Sequence, residues 1–135
     1  MVVNKRILIV EDVEVNRCLL QEFLEFEGYT VCGIPDGLNF FQKIAEFSPQ
    51  LILLDLRLPQ IDGYELLQQL QQSPYRSIPV IIMSAHAFRQ EKQKAFSLGA
   101  RLYLTKPVAL QDVTAAIESE LAKLDASDTT NSLVH

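Results

Sequence analysis

The sequence predicts a single three-layer α/β domain, in which helices cover both faces of a doubly wound parallel sheet of five strands. Short apolar runs alternate along the chain with longer segments of helical periodicity. The runs are continuously apolar, as is typical of parallel strands buried on both faces. Strands separated by helices imply right-handed crossovers between parallel neighbours. The chain has 135 residues, which suits one domain with a substantial core.

Two strands and two helices are predicted in the first third of the chain. Apolar runs at residues 7–10 and 29–34 indicate short strands, and the first of them ends at two acids. Apolar residues at helical spacing predict one helix at 14–27, which Gly28 ends, and a second that ends near Ser48 and Pro49. The residues expected on the core faces of these helices are Val15, Cys18, Leu19, Phe23, Phe26, Leu38, Phe41, Ile44, Ala45 and Phe47.

The stretch from residue 51 to residue 63, LILLDLRLPQIDG, organises the rest of the chain. Four apolar residues lead into Asp55, which places its carboxylate at the carboxyl end of a buried strand, where open α/β sheets bind ligands. Placing a charge at the end of so apolar a strand costs free energy unless a ligand or partner group interacts with that charge. Asp62 and Glu65 instead have the spacing of a capping box for a helix at 63–72, which leaves Asp55 free for chemistry.

The second half of the chain repeats the order of strand and helix twice. Residues 80–83 form a fourth strand that ends at Ser84, and residues 101–105 form a fifth that continues into Lys106 and Pro107. Helices are predicted at 88–98, closed by Gly99, and from 110 to about 124. We expect the domain to span residues 1–124, followed by a polar, aperiodic and disordered tail at 125–135.

Composition argues against several classes of function. The net charge of −5, without a basic cluster, disfavours a nucleic-acid surface. No apolar stretch is long enough to cross a membrane, and the first residues lack a signal-like core and cleavage site, so we expect a cytoplasmic protein. Cys18 and Cys32 fit reduced, buried thiols in that compartment, while a disulfide between them stays possible.

Polar residues follow or end four of the predicted strands. In a parallel sheet, Glu11, Asp12, Asp55, Ser84 and Lys106 meet at one edge. Three converging carboxylates raise one another's pKa unless a cation lies among them. Oxygen ligands without histidine or cysteine favour Mg²⁺ over Zn²⁺. A carboxylate beside Mg²⁺, an ammonium and a hydroxyl is typical of a phosphoryl-transfer site in which the carboxylate attacks phosphorus.

The same residues resemble the receiver domain of two-component response regulators. The matching motifs follow four strands in turn and are Glu11 with Asp12, Asp55 in LLDLRLPQIDG, Ser84 with Ala85, and Lys106 with Pro107. The resemblance covers about residues 5–124. It implies a flavodoxin-like sheet with the strand order 2-1-3-4-5 that is known from chemotaxis receivers.

The resemblance implies a Mg²⁺-dependent signalling protein rather than a metabolic enzyme. Asp55 would accept a phosphoryl group from a histidine kinase or a phosphotransfer protein, and the phosphorylated form would bind a separate downstream protein in a phosphorelay. Ser84 and Lys106 would contact the phosphoryl oxygens. The implied Mg²⁺ ligands are Asp12, Asp55, the backbone carbonyl of Arg57 and, through a water molecule, Glu11.

The resemblance also carries expectations about switching. Ser84 would move inward toward the phosphoryl group. Tyr103 is either a core aromatic residue of the fifth strand or a switch residue, and as a switch residue it would turn inward with Ser84. This would change a partner-binding face that carries Phe88, Arg89, Lys92 and Gln111. Arg57 and His86 are either residues that tune the phosphoryl lifetime or ordinary exposed loop residues. The bond between Lys106 and Pro107 is cis in this family, which would aim the lysine into the site.

Three alternative functions fit the sequence less well. A phosphatase of the haloacid dehalogenase type needs Asp-x-Asp after the first strand, where this chain has Asp12-Val13-Glu14. A nucleotide-binding domain needs a glycine-rich first turn, which is also missing. A pseudo-receiver, which acts as a protein-interaction module without phosphorylation, is the second hypothesis. It would be expected to lack Asp55 or Lys106, and both are present.

Overall fold

A computed structural model of the protein describes the backbone of residues 5–134 and the side chains of residues 5–125. Five strands and five helices alternate along the described chain. The strands are β1 (Arg6–Val10), β2 (Thr30–Ile34), β3 (Leu51–Asp55), β4 (Val80–Ser84) and β5 (Leu102–Thr105). The helices are α1 (Glu14–Phe26), α2 (Phe40–Phe47), α3 (Gly63–Gln71), α4 (Arg89–Ser97) and α5 (Leu110–Val134).

All neighbouring strands pair in parallel, in the order β2-β1-β3-β4-β5, which confirms the predicted sheet. Alternate residues of each strand face opposite layers. The layer of α2, α3 and α4 packs on Leu8, Ile52 and Ile82, and the layer of α1 and α5 packs on Ile9 and Leu53. Helices therefore cover both faces, which explains why β3 and β4 are buried along their whole length.

The predicted core face of α1 is wrong. Leu20 and Leu24 are buried, whereas Val15, Leu19 and Phe26 are exposed, and Phe26 exposes 89% of its surface. Phe23 is partly buried in the core beside this helix, as expected. Apolar residues occupy more than one side of α1, so helical spacing alone does not identify the side that meets the sheet.

The start of α2 also differs from the prediction. Oδ1 of Asp36 accepts the backbone N–H of Leu38 at 2.9 Å, which makes a local turn. The helix therefore begins only at Phe40, which is buried together with Ile44, while Leu38 is exposed. The remaining residues predicted on this face are partly buried (Phe41 and Phe47) or exposed (Ala45).

The cysteines do not match the prediction of buried thiols. Cys18 is exposed on α1, and Cys32 is partly exposed on β2. Both are free, without a disulfide between them. Cys18 is exposed because it lies on the solvent side of α1, away from Leu20 and Leu24.

The last helix is longer than the sequence analysis expects. It continues to Val134 instead of ending near Leu124. Residues 125–134 contain no glycine or proline that would end a helix, which accounts for the difference. Residues 1–4 and His135 lie outside the described residues. None of the described helices is both long and apolar enough to span a membrane.

Candidate functional site

A buried cluster of opposite charges lies at the carboxyl edge of the sheet. Nζ of Lys106 donates hydrogen bonds to Oε1 of Glu11 at 2.7 Å and to Oδ2 of Asp55 at 2.8 Å. Glu11 and Asp55 expose only 2% and 4% of their surface. Buried charges need a partner of opposite sign, and one ammonium serves both carboxylates here.

The topology of the sheet brings these residues together. Glu11 follows β1, and Asp55 ends β3, which is the parallel neighbour of β1. Lys106 follows β5, so its side chain reaches past the end of β4 to contact both acids. Its backbone N–H donates to the carbonyl of Ser84 at 2.8 Å, and the Lys106–Pro107 peptide bond is cis. The lysine is thus held at both its backbone and its ammonium.

Burial and neighbouring charges shift the ionisation of this cluster. Burial raises the pKa of Glu11, and Asp55 adds to the rise, while Lys106 only partly opposes it. Burial also lowers the pKa of Lys106, but the hydrogen bonds to Asp55 and Glu11 outweigh it, so that pKa is raised. Lys106 is therefore an ammonium at neutral pH, and the cluster sets three carboxyl groups against this one positive charge.

Glu11, Asp12 and Asp55 have the arrangement of a metal site. One carboxylate oxygen from each lies within 4.8 Å of the other two. Asp12 is exposed, whereas the other two acids are buried, so the cluster meets solvent at Asp12. Carboxylate oxygens are the ligands that hard cations such as Mg²⁺ prefer. A divalent cation here would also add positive charge beside the three carboxyl groups.

Asp62, and not Asp55, caps α3, as the sequence predicts. Oδ1 of Asp55 accepts the backbone N–H of Arg57 at 2.9 Å. Asp62 is the N-cap of α3, where its Oδ1 accepts the N–H of Tyr64 at 2.8 Å. Gly63 lets α3 start against the loop after β3, because a Cβ at this position would lie 2.6 Å from a backbone atom of that loop. The loop behind Asp55 is therefore tightly packed.

Ser84 and Tyr103 are linked through one loop residue. Oγ of Ser84, which is fully buried at the end of β4, accepts the backbone N–H of His86 at 3.2 Å. The hydroxyl of Tyr103 donates to the backbone carbonyl of His86 at 2.6 Å. On the outer side, Nζ of Lys92 lies 5.8 Å from the centre of the Tyr103 ring. Ser84 and Tyr103 are both expected from the sequence, but their connection through His86 is not.

The side chains of the other predicted residues lie around the charged cluster. Arg57 is exposed, and His86 is partly buried with its Nδ1 3.9 Å from Oε1 of Glu91. Lys92 is also partly buried. The remaining residues of the predicted partner-binding face are exposed, and they are Phe88, Arg89 and Gln111.

Two contacts near the site involve residues that the sequence analysis does not single out. The hydroxyl of Tyr64 donates to the carbonyl of Glu91 at 3.1 Å and ties α3 to α4. Nη1 of Arg17 donates to the backbone carbonyl of Glu11 at 2.9 Å. Nothing in the local pattern distinguishes Tyr64 from a surface aromatic residue. Gly33, the fourth of the five residues of β2, is a usable signal for Arg17, because glycine inside a strand often marks a close approach.

A cavity lies on each side of the charged cluster. One of about 440 Å³ is bordered by apolar residues of α1 and α5 and has Glu11 and Lys106 in its wall. The other, of about 370 Å³, lies between the start of α3 and α4 and has Arg57 and Ser84 in its wall. The site is therefore flanked by an apolar space on the α1 side and a polar space on the α4 side.

Known proteins share this sequence pattern. Residues 7–118 match the sequence profile of the response regulator receiver domain. The polar-differentiation response regulator DivK of Brucella ovis is 32% identical over 119 residues, which cover 87% of this chain and 97% of DivK. The chain spans about half the length of a longer curated relative.

Solved structures share the fold. The chain is similar to a CheY-like response regulator receiver domain protein from Methanospirillum hungatei, with a TM-score of 0.86 and 29% identity over 93% of this chain and 99% of that one. It is also similar to the receiver domain of the sensor histidine kinase PA1611 of Pseudomonas aeruginosa, which has a magnesium ion coordinated in its active site cleft. That TM-score is 0.78, with 27% identity over 87% of this chain and 97% of the other. The chain therefore belongs to the family of response regulator receiver domains, the signalling domains of two-component systems.

Proposed function

We propose that this receiver domain accepts a phosphoryl group on Asp55. One observation carries the proposal. Asp55 is a buried carboxylate whose Oδ2 lies 2.8 Å from an ammonium, and it shares an acidic cluster with Glu11 and Asp12. A fixed carboxylate beside a lysine and a potential metal site provides the nucleophile and the positive charge that phosphoryl transfer needs.

The phosphoryl group comes from the phosphohistidine of a histidine kinase or a phosphotransfer protein. An oxygen of Asp55 forms a bond to phosphorus while the phosphorus–nitrogen bond breaks, and the electron pair of that bond remains on the imidazole, which takes up a proton. Lys106 neutralises charge on the phosphoryl oxygens, and the hydroxyl of Ser84 donates to one of them. Hydrolysis of the acyl phosphate by water, without a separate phosphatase, restores Asp55.

Mg²⁺ is the proposed cofactor. Its ligands are Asp12, Asp55 and the backbone carbonyl of Arg57, with Glu11 acting through a water molecule. The oxygen-only cluster of three carboxyl groups supports this ion, as does the magnesium in the cleft of the PA1611 receiver. Bound Mg²⁺ supplies positive charge that stabilises the transferred phosphoryl oxygens.

The proposed phosphodonor docks on the α1 side of the site, in the cytoplasm. Val13, Val15 and Leu19 are exposed apolar residues on this side, next to the apolar cavity that reaches Glu11 and Lys106. Exposed apolar residues that cluster beside a reaction site favour a protein partner over a small substrate. The histidine of the donor then approaches Asp55 from a surface that excludes water.

The proposed output uses the opposite side, formed by α4, β5 and α5. Phosphorylation draws the hydroxyl of Ser84 away from the N–H of His86, to which it is bound at 3.2 Å. The backbone carbonyl of His86 accepts a hydrogen bond from the hydroxyl of Tyr103. Movement of the loop that contains His86 therefore changes the position of Tyr103 and of the neighbouring Phe88. Tyr103 already contacts the loop, so the switch changes an existing bond. A separate downstream protein reads the altered face.

The pseudo-receiver alternative has no observation in its favour. Such a module has no need for a charged cluster at the edge of its sheet. In this chain Asp55 and Lys106 are both present and lie in contact. The phosphoryl-accepting function is therefore the one that explains why buried charges are placed at this edge.

The role of Asp55 as the phosphoacceptor is tested by labelling the protein with a small phosphodonor. Incubation with acetyl phosphate and Mg²⁺ is expected to add one acid-stable, base-labile phosphoryl group, measured by intact-protein mass spectrometry, and Asp55→Asn is expected to abolish it. Asp62→Asn is the matched control, because Asp62 lies on the same loop and asparagine also caps helices. Equal labelling of Asp55→Asn and the wild type would show that the phosphoacceptor is another residue.

A further inference from the structure

Glu11 is held at each of its polar groups. Its backbone N–H donates to the carbonyl of Ile34 at 3.1 Å, and its Oε2 accepts the N–H of Val13 at 3.3 Å. Its Oε1 accepts from Lys106, and its backbone carbonyl accepts from Nη1 of Arg17 at 2.9 Å. The last of these contacts fixes the peptide group that joins Glu11 to Asp12. The orientation of both acids therefore depends on it.

Gly33 provides the space through which Arg17 reaches this carbonyl. A Cβ on Gly33 would lie 3.1 Å from Cγ and 3.2 Å from Cδ of Arg17, and 3.0 Å from Oε1 of Gln21. The φ angle of Gly33 lies outside the left-handed region, so its backbone conformation does not require glycine. A larger residue at this position of β2 would instead meet the side chains of Gln21 and Arg17, which would have to shift.

The guanidinium acts through this hydrogen bond and not through an ion pair. Among the described side chains, Arg17 lies within 4.0 Å of no carboxylate. Arg17 also donates its backbone N–H to Val13 as part of the first turn of α1. The residue therefore connects the start of α1 with Glu11 at the end of β1 and with Gly33 of β2.

We propose that Arg17 and Gly33 form a positioning pair that keeps the turn of Glu11 and Asp12 in the geometry needed to bind Mg²⁺. The inference rests on the proposed function, in which these acids bind the metal. Residues that orient metal ligands from behind commonly contribute ten- to hundredfold to metal affinity. Without the arginine, the carbonyl of Glu11 faces water, and the turn that carries Asp12 gains conformational freedom.

Positioning and simple electrostatics predict opposite changes in the affinity for Mg²⁺ when Arg17 is replaced by alanine. If Arg17 acts only as a nearby positive charge, Arg17→Ala removes a repulsion and Mg²⁺ binds more tightly. If Arg17 acts by positioning, the same substitution weakens binding although a cation has been removed. Gly33→Ala separates the two effects further, because it keeps the charge of Arg17 and displaces only its aliphatic part.

The test is a Mg²⁺ titration of the full chain, followed by the NMR shifts of backbone amides at the site. We expect the Kd for Mg²⁺ to rise about tenfold in Arg17→Ala. A rise of about threefold is expected in Gly33→Ala, and Arg17→Lys should recover part of the loss. Gln21→Ala is the control, because it removes the other side chain that lies against Gly33 and leaves the bond to Glu11 intact. Its Kd should equal that of the wild type.

Three outcomes overturn the proposal. The first is a Kd in Arg17→Ala that is equal to or below the wild-type value. The second is an equal loss in Gln21→Ala, which indicates a general effect of packing on β2. The third is a wild type that does not bind Mg²⁺ at all, which overturns the proposed metal site as well. If Arg17→Ala does not fold, Gly33→Ala and Arg17→Lys decide the question, since an unchanged Kd in both contradicts positioning.

Discussion

The two sides of Asp55 are built in different ways. On the β1 side, four apolar residues of β1 are completely buried, and each polar group of Glu11 has a hydrogen-bond partner. On the β5 side, each of the four residues of the strand is partly exposed, and α4 buries only Ala95. The acids are thus held by the rigid side, while Ser84 and Tyr103 border the weakly packed one.

This difference suggests how a receiver can combine a fixed site with a movable surface. Besides the backbone pairing of β4 with β5, single polar side-chain contacts hold the β5 side, such as those of the Tyr103 hydroxyl with His86 and of the Tyr64 hydroxyl with Glu91. Contacts of this kind contribute about 1 kcal/mol each. A phosphoryl group that alters one of them can shift the population of conformations without disturbing the core.

The largest expected effect comes from comparing equivalent leucines on the two sides. Leu53 is completely buried at the centre of the sheet, and Leu104 lies on the same face of β5 but is only partly buried. Leu53→Ala should lower the free energy of unfolding by roughly 2–5 kcal/mol, because it leaves a cavity. Leu104→Ala should lower it by less than half as much. Urea unfolding measures both, and equal losses would contradict a difference in packing between the sides.

A smaller effect is expected from the metal on the rigid side. Mg²⁺ at ten times its Kd should stabilise the wild type by about 1.4 kcal/mol, because only the folded chain assembles the acids. Asp12→Ala should abolish this gain. Thermal unfolding with and without Mg²⁺ measures it. Glu14→Ala is the control, because it removes an exposed acid close to the site but outside the cluster. A gain that persists in Asp12→Ala would show that the ion binds elsewhere.

The positions of the strands and of the charged residues can be predicted from the sequence, because continuous apolar runs and single polar residues at their ends are local features. Asp55, Lys106 and Glu11 are therefore found before the fold is known. The exposure of Phe26 and the burial of Phe40 cannot be predicted in this way, because they depend on which side of each helix meets the sheet. The bond from Arg17 to Glu11 depends on the space left by Gly33, which involves three separate elements.

The hydroxyl of Tyr103 should matter more for signalling than for stability. Tyr103→Phe removes one hydrogen bond to His86 and should cost about 1 kcal/mol or less in unfolding free energy. When beryllofluoride is added in place of the phosphoryl group, the chemical shifts of Phe88 and Lys92 should change less in Tyr103→Phe than in the wild type. Tyr75→Phe is the control, as the hydroxyl of Tyr75 has no partner among the described residues. Unchanged shifts in Tyr103→Phe would remove this residue from the switch.

The smallest effect is expected for the contacts that hold α4 to α3. Nζ of Lys94 lies 4.3 Å from the centre of the Tyr64 ring, and the hydroxyl of that ring binds Glu91. Lys94→Gln removes the cation–π contact, which contributes about 0.5–1 kcal/mol at an exposed site. Tyr64→Phe keeps the ring and removes only the hydrogen bond. Neither change should alter global stability by more than about 1 kcal/mol, yet hydrogen exchange of the α4 amides should accelerate in both.

Hydrogen exchange of the amides in β1 and β3 provides the internal comparison for the Lys94→Gln and Tyr64→Phe variants. If α4 opens separately from the core, its amides accelerate while those of β1 and β3 do not, since local openings need less free energy than global unfolding. Gln93→Ala, on the exposed surface of the same helix, should leave exchange unchanged. The double variant of Tyr64 and Lys94 should exchange faster than either single one, because the two contacts are made by different atoms. Equal acceleration in α4 and β1 would mean that the two sides of Asp55 unfold as one unit, and that a loosely held α4 does not explain the switch.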